Sequence, residues 1–259
     1  MLPSVAAIDP KKHVTGRVVE RREISAELWM VRIRPAEKIA FLPGQYITAG
    51  VPGQSRMVER PYSVVSSPRE PEMEFFLELV PVGELTPQLY QIPVGGEVYL
   101  RRLAKGRFLF DDKSGHPNHL MVATVTGVAP YVSMVRDMAA RADQDETISH
   151  RIVVLQGASL AHELGYKEEL AGHMLRYGFF HYIPTISRAW LEPAWEGEKG
   201  RVEDVTRKYL DALNFTPATT TVYVCGNPNM IENVKGVLQR AGFPKESVKE
   251  EVYWHAEKE

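Results

Sequence analysis

Arg60, Pro61, Tyr62 and Ser63 put a guanidinium, a phenol ring and a hydroxyl within four residues. In an extended strand, Arg60 and Tyr62 point to one face and Ser63 to the other. A ring beside a planar cation suits a flat, phosphate-bearing ligand: Tyr62 can stack, Arg60 can meet a phosphate and Ser63 can hydrogen-bond a ring nitrogen. The same residues also suit a plain strand with a surface arginine and a core tyrosine. A second stretch, residues 82–87 (VGELTP), places Thr86 as a helix N-cap and Pro87 at the first helical position. A helix starting there turns free N–H groups toward an anion, or is simply a capped helix. In a third, residues 123–130 (ATVTGVAP), Thr126 and Gly127 follow a strand and open a helix, the place for a pyrophosphate. In a fourth, residues 223–230 (YVCGNPNM), Cys225 ends a strand before a Gly-Asn-Pro turn into a helix. That sets its thiol at the carboxyl edge of a sheet, where ligands bind. A small buried hydrophobe is the other reading of that cysteine.

The elements that must position these residues change rhythm along the chain. Residues 28–33, 45–51, 60–66, 73–80 and 97–103 read as short strands, separated by breakers at Pro43-Gly44, Pro52-Gly53, Pro68, Pro81 and Gly95-Gly96. Many short antiparallel strands predict a closed barrel or a sandwich. Residues 111–118 (DDKSGHPN) are polar and rich in breakers, marking a boundary. Beyond them, strands at 119–124, 151–156, 179–184 and 221–225 alternate with helices at 129–142, 162–177, 202–213 and 229–241, with a last strand within 247–254. Strand alternating with helix predicts a parallel sheet. The chain therefore reads as two domains: an N-terminal antiparallel β-barrel over residues 1–113 and an α/β parallel-sheet domain over residues 114–259.

Bulk properties narrow the chemistry. The 259 residues, 44% of them hydrophobic, suffice for full cores without staples. The single cysteine excludes an internal disulfide, a Cys₄ zinc site and a cysteine-ligated iron–sulfur cluster. Redox chemistry must then use an organic cofactor or that one thiol, and no metal ligand set is expected. A net charge of −2 offers nothing to nucleic acid or to an anionic membrane. No apolar run reaches the roughly 20 residues of a membrane span, and residues 1–12 lack a signal-peptide core, so a cytoplasmic protein is expected.

In order and spacing, the four stretches resemble those of the ferredoxin–NADP reductase family, from about His13 to Trp254. Arg60-Pro61-Tyr62-Ser63 is similar to its flavin-binding strand, residues 126–130 (TGVAP) to its nicotinamide-side loop, and Cys225-Gly226-Asn227-Pro228 with Met230 to its carboxyl-terminal motif. Residues 81–96 and Tyr253-Trp254 resemble the bacterial flavodoxin/ferredoxin-type branch. The resemblance implies FAD in the barrel, NADP(H) in the α/β domain, hydride transfer to flavin N5 and an acidic ferredoxin or flavodoxin as partner. It implies that Arg60, Pro61, Tyr62, Ser63 and Val64 line the flavin, with Gly83, Leu85 and Thr86 at its phosphates. Ser63 and Cys225 would serve the reacting atoms, Thr126 and Gly127 the nicotinamide, and Tyr253 and Trp254 the flavin or its adenine. Ser187-Arg188 and Arg201 would read the 2′-phosphate that distinguishes NADPH from NADH. Arg101, Arg102, Lys105 and Arg107 form the candidate basic surface for the carrier protein, or a protected strand edge.

Two positions depart from the pattern. Val125 stands where the family has glycine, and a β-branched residue tolerates positive φ and close ligand approach poorly. Ser159 stands where an arginine commonly contacts the nucleotide, a loss on the order of 1–3 kcal/mol. Two alternative functions therefore stand beside the first: an NAD(P)H–flavin reductase that releases reduced flavin, and a flavin-bearing electron-transfer subunit with weak nicotinamide binding.

Overall fold

A computed structural model describes residues 7–253 of the chain. Contacts divide it into two units, the first running to Leu109 and the second starting at Phe110.

In the first unit, period-2 alternation produces one six-stranded antiparallel sheet. Its strands are β1 (His13–Glu23), β2 (Leu28–Pro35), β3 (Tyr46–Pro52), β4 (Met57–Ser63), β5 (Met73–Glu78) and β6 (Glu97–Arg101), in the order β4-β3-β6-β1-β2-β5. The register of β1 against β2 shifts between Val18 and Glu20, a bulge of the kind that increases twist. The sheet curls until its two edges meet just past β4, where the Val65 N–H donates to Glu74 O at 2.8 Å. Inside lie Val14, Trp29, Ile33, Ile47, Phe75, Leu77 and Leu100, one side chain from alternate positions of most strands. The first helix, α1 (Thr86–Gln91), is short. Thr86 does not cap it as expected; Leu85 holds the N-cap position. The Thr86 hydroxyl accepts from Val80 N at 2.9 Å and donates to Val80 O, closing the turn that precedes the helix.

The second unit is a six-stranded parallel sheet, ordered β10-β9-β8-β7-β11-β12, flanked by helices. Along the chain run β7 (Asn118–Thr124), α2 (Ala129–Ala142), β8 (Arg151–Ala158), α3 (Lys167–Arg176), β9 (Phe180–Ile186), β10 (Glu198–Lys199), α4 (Val202–Ala212), β11 (Thr220–Gly226), α5 (Pro228–Arg240) and β12 (Val248–Val252). Every residue of β11 is buried, as a strand covered on both faces requires. The single helix expected over 162–177 is divided. A 3₁₀ turn at Ala161–Glu163 comes first, and Tyr166 then takes a left-handed backbone (φ +66°) before α3 begins. No helix among the described residues is long and apolar enough to cross a membrane.

Candidate functional site

In the first unit the site is built on β4. The Tyr62 ring meets Phe75 edge-on, centroids 6.5 Å apart. The Tyr62 hydroxyl is buried and has no hydrogen-bond partner among the described residues, and burial raises its pKa far above the ordinary phenol value. Leaving such a hydroxyl unpaired costs roughly 1–3 kcal/mol, so the group is set for a partner that the described residues do not supply. Pro61 is exposed, whereas Ser63 and Val64 are buried at the strand's end. The exposed Arg60 donates to Glu59 O at 2.9 Å, and its Nη2 lies 4.0 Å from Glu84 in the turn before α1. The sheet thus brings Arg60 to the turn that carries Gly83, Leu85 and Thr86. In that turn Gly83 N donates to Val80 O, and Leu85 and Thr86 are buried.

Beside Arg60, Glu59 braces the strand. Its carboxylate accepts from Arg101 Nε at 2.6 Å and from Arg101 Nη2, and lies 2.9 Å from His13 Nε2. Arg102 is likewise held on Glu37 by two hydrogen bonds, at 2.7 and 3.0 Å. Half of the expected basic surface is therefore charge-compensated; the Glu59 and Glu37 partners, 42 and 65 residues away, are not visible from local sequence.

In the second unit the candidate residues gather at the carboxyl ends of the parallel strands. The chain goes outward on one side through β8 and β9 and on the other through β11 and β12, so β7 and β11 flank the topological switch point where α/β sheets bind ligands. Two glycines let the loops close there. A Cβ on Gly127 would fall 2.4 Å from Cys225 O. Gly226 has φ +125°, and a Cβ there would fall 2.5 Å from the Thr124 hydroxyl, which accepts from Asn227 N at 3.0 Å. Cys225 is fully buried. Burial first, then the Glu251 charge, push its thiol well above the ordinary value, against a hydrogen bond with the Tyr253 side chain. A fully buried, neutral thiol is a poor nucleophile. Trp254 lies outside the described residues.

Val125 resolves the first departure in an unexpected way. Its φ is +44°, so the loop keeps a backbone that favours glycine despite the β-branched side chain. Two contacts hold it. The isopropyl group packs on the cluster of Ala158, Leu164 and Ile186, and the buried Gln156 amide reaches Val125 O at 3.5 Å and Gly165 O at 3.3 Å. Gln156 in turn accepts from the Tyr182 hydroxyl at 2.6 Å. Surrounding structure of this kind is what lets a strained residue persist. The left-handed cost falls on any residue with a Cβ, about 1–2 kcal/mol, and not on glycine. Val125→Gly is therefore expected to be more stable than Val125→Ala by about 1 kcal/mol, the reverse of the usual order. Urea unfolding of the two variants measures it, and an alanine variant as stable as the glycine one would dismiss the strain.

Ser159 shows the second departure. Where a cation was expected, Ser159 N and Leu160 N donate to Glu163 at 2.8 and 2.9 Å, and Ala161 N donates to Glu192 at 3.1 Å. The chain's own carboxylates occupy these N–H groups. Across from them, Ser187 N and Arg188 N donate to Ala158 O and Ser159 O. Gly200 N donates to Ile186 O, and Thr185 Oγ1 donates to Gly200 O at 2.7 Å. Arg188 and Arg201 each lie two residues beyond the last paired rung, Ile186 opposite Lys199. Both side chains are exposed; Arg201 comes only within 3.9 Å of Glu203. Reading the sequence missed Glu59, Gln156, Glu163 and Glu192. Only Glu163, four residues past Ser159, carried a local signal, that of a turn-capping acid.

A barrel whose strand presents a half-buried ring, its buried hydroxyl without a partner among the described residues, followed by a parallel sheet with a prepared switch point, defines an oxidoreductase with one flavin-binding and one nicotinamide-binding domain. Residues 15–108 match the oxidoreductase FAD-binding domain and residues 121–236 the oxidoreductase NAD-binding domain. The chain belongs to the ferredoxin–NADP reductase family. It is 28% identical over 229 residues to the flavodoxin/ferredoxin–NADP reductase of Escherichia coli, covering 86% of this chain and 88% of that protein. It is 25% identical over 244 residues to the ferredoxin–NADP reductase of Pseudomonas aeruginosa, covering 88% and 90%. Its fold matches a ferredoxin NADP+ reductase from Neisseria gonorrhoeae, solved with FAD and NADP, with a TM-score of 0.82 at 22% identity, over 94% of this chain and 99% of that one.

Proposed function

We propose that this protein carries electrons between NADPH and a ferredoxin or flavodoxin in the cytoplasm, using FAD. The observation that supports the choice of NADPH is that Arg188 and Arg201, both exposed, each follow by two residues the last paired rung of β9 and β10. With Ser187 they form a fork for a 2′-phosphate. Bound flavin supplies the chemistry that joins a hydride donor to a one-electron carrier. The protein supplies positions. Arg60 holds flavin phosphate, Tyr62 stacks on the ring and gives its hydroxyl a partner, and Ser63 offers its hydroxyl near N5. Gly83, Leu85 and Thr86 form the turn against the phosphates. Thr126 and Gly127 back the nicotinamide, the neutral Cys225 thiol bears on its edge, and Tyr253, hydrogen-bonded to that thiol, is the side chain that moves aside. Lys105 and Arg107, with the compensated Arg101 and Arg102, are the surface for an acidic carrier.

Anaerobic titration of the FAD-loaded protein, following the flavin absorption band, tests this. NADPH is expected to bleach the band faster than NADH. Arg188→Ala is expected to raise the KM for NADPH about 10- to 100-fold, the worth of a charge-assisted contact, and to leave NADH unchanged. Equal effects on both nucleotides would remove the 2′-phosphate role. A second reading, a flavin-bearing subunit with weak nicotinamide binding, is favoured by the carboxylates of Glu163 and Glu192 on the N–H groups of residues 159–161. Failure of both nucleotides to bleach the flavin would select it, and release of reduced flavin would select a flavin reductase.

A further inference from the structure

Three charged side chains from separate segments meet at the turn that precedes α1. Arg56 closes the hairpin between β3 and β4, Arg60 lies within β4, and Glu84 belongs to the turn itself. One carboxylate oxygen of Glu84 faces both cations: Arg56 Nη2 donates to it at 3.4 Å, and Arg60 Nη2 lies 4.0 Å from it. Each member is held from its own side. Gly53 N donates to Arg56 O at 3.0 Å, and a Cβ on Gly53 would fall 2.6 Å from that oxygen, so the hairpin is tight there. Arg60 Nη1 donates to Glu59 O at 2.9 Å, which leaves Nη2 toward the turn. Glu84 O accepts from the Gln88 side chain at 2.5 Å, while Gly83 N and the Thr86 hydroxyl tie the same turn to Val80. All three charged side chains stay open to solvent. Ion pairs of that kind add little to stability, so the weight of the carboxylate falls on any anion that comes to the same guanidiniums. Two guanidiniums match the two negative phosphate groups of FAD, and a carboxylate between them is one anion too many.

We propose that Glu84 is a resident competitor for the flavin phosphates: its carboxylate stands between Arg56 and Arg60, where a phosphate has to go, and it weakens the hold on phosphate-bearing flavins without touching the contacts of the flavin ring. Glu84 takes this role on the reading that Arg60 holds flavin phosphate. A like charge about 4 Å away in water lowers affinity about 5-fold, and salt screens it. An acid that gathers the arginines and repels their ligand makes the flavin exchangeable.

The full chain, stripped of flavin, is titrated with FAD, FMN and riboflavin, with binding followed by flavin fluorescence. Riboflavin carries no phosphate and reports the ring alone. Glu84→Gln keeps the shape of the side chain and removes its charge. It is expected to bind FAD and FMN about 3- to 10-fold more tightly than wild type and riboflavin equally well. The gain is expected to shrink at ~1 M salt, where the Debye length is about 3 Å. Glu84→Asp, which keeps the charge, is expected to stay within about 2-fold of wild type for all three flavins. Arg60→Gln is the reference, expected to weaken FAD and FMN and to spare riboflavin. An Arg60→Gln protein that binds FAD like wild type would end the reading of Arg60 as the phosphate holder. If Arg60→Gln weakens FAD while Glu84→Gln leaves FAD unchanged or weaker, Glu84 does not compete and the proposal is overturned. A Glu84→Gln protein that gains as much for riboflavin as for FAD overturns it as well, because the gain is then not at the phosphate.

Discussion

Replacing Tyr62 by phenylalanine is expected to stabilise the FAD-free protein and at the same time loosen its hold on FAD. The opposite signs follow from one atom. Without cofactor, the Tyr62 hydroxyl is buried and has no partner among the described residues, so deleting it removes a penalty on the order of 1 kcal/mol or more. With cofactor, the proposed contact gives that hydroxyl a partner, and its loss is worth about 0.5–1.5 kcal/mol, up to roughly tenfold in affinity. Tyr62→Ala goes further and removes the ring that packs against Phe75. Loss of a stacking surface at about 1–3 kcal/mol gives a 10- to 100-fold weaker FAD complex. FAD affinity is read from quenching of free-flavin fluorescence and stability from the melting of stripped protein. A phenylalanine variant that melts and binds like wild type would show that the hydroxyl is solvated and idle.

The second large effect lies between α2 and α3 of the parallel unit. Arg136 on α2 makes two hydrogen bonds to Glu169 on α3, at 2.7 and 2.8 Å, and His173 lies 3.6 Å from the same carboxylate. Burial alone would raise the Glu169 carboxyl, but the hydrogen bonds and charges of Arg136 and His173 bring it down from the ordinary 4.5 to about 2. A carboxyl depressed on folding stabilises the native state above its unfolded pKa and loses that contribution as pH falls through the folded one. The window therefore runs from about pH 4.5 down to about pH 2, and at ~1.4 kcal/mol per pH unit the contribution is on the order of 3 kcal/mol. Arg136→Met strands the carboxylate. Because Glu169 keeps 32% side-chain exposure, the expected loss is about 2–3 kcal/mol, at or below the range for breaking a buried pair. Urea unfolding measures it at pH 7. On acidification the variant should lose less than wild type, so their stability curves converge. Parallel curves across that window would show that the pair contributes nothing.

Much of this architecture is written locally. The period-2 runs of the first hundred residues and the strand–helix alternation after them depend on near neighbours, so the barrel and the parallel sheet follow from the sequence itself. So does the placing of Thr126, Gly127 and Cys225 at strand ends, because Gly and Pro mark where strands must turn. Gly165 stood in plain sight inside the helix expected over 162–177, and the left-handed Tyr166 beside it is where that helix divides.

Other features depended on residues brought together from far along the chain. The sequence by itself ranks Val125 as a poor fit to positive φ. Only the packing of its isopropyl on Ala158, Leu164 and Ile186, with the Gln156 amide on its carbonyl, holds it there. Thr86 carries an N-cap signature, yet the fold offers its hydroxyl the Val80 backbone instead. Arg101 and Arg102 read from the sequence as free cations, whereas the fold sets Glu59 and Glu37 against them. The physical reason is the same in each case. Propensity and periodicity arise between residues a turn or a pleat apart, whereas charge pairing, orphaned hydroxyls and tolerated strain are fixed only when sheets choose their register and bring distant side chains within bonding distance.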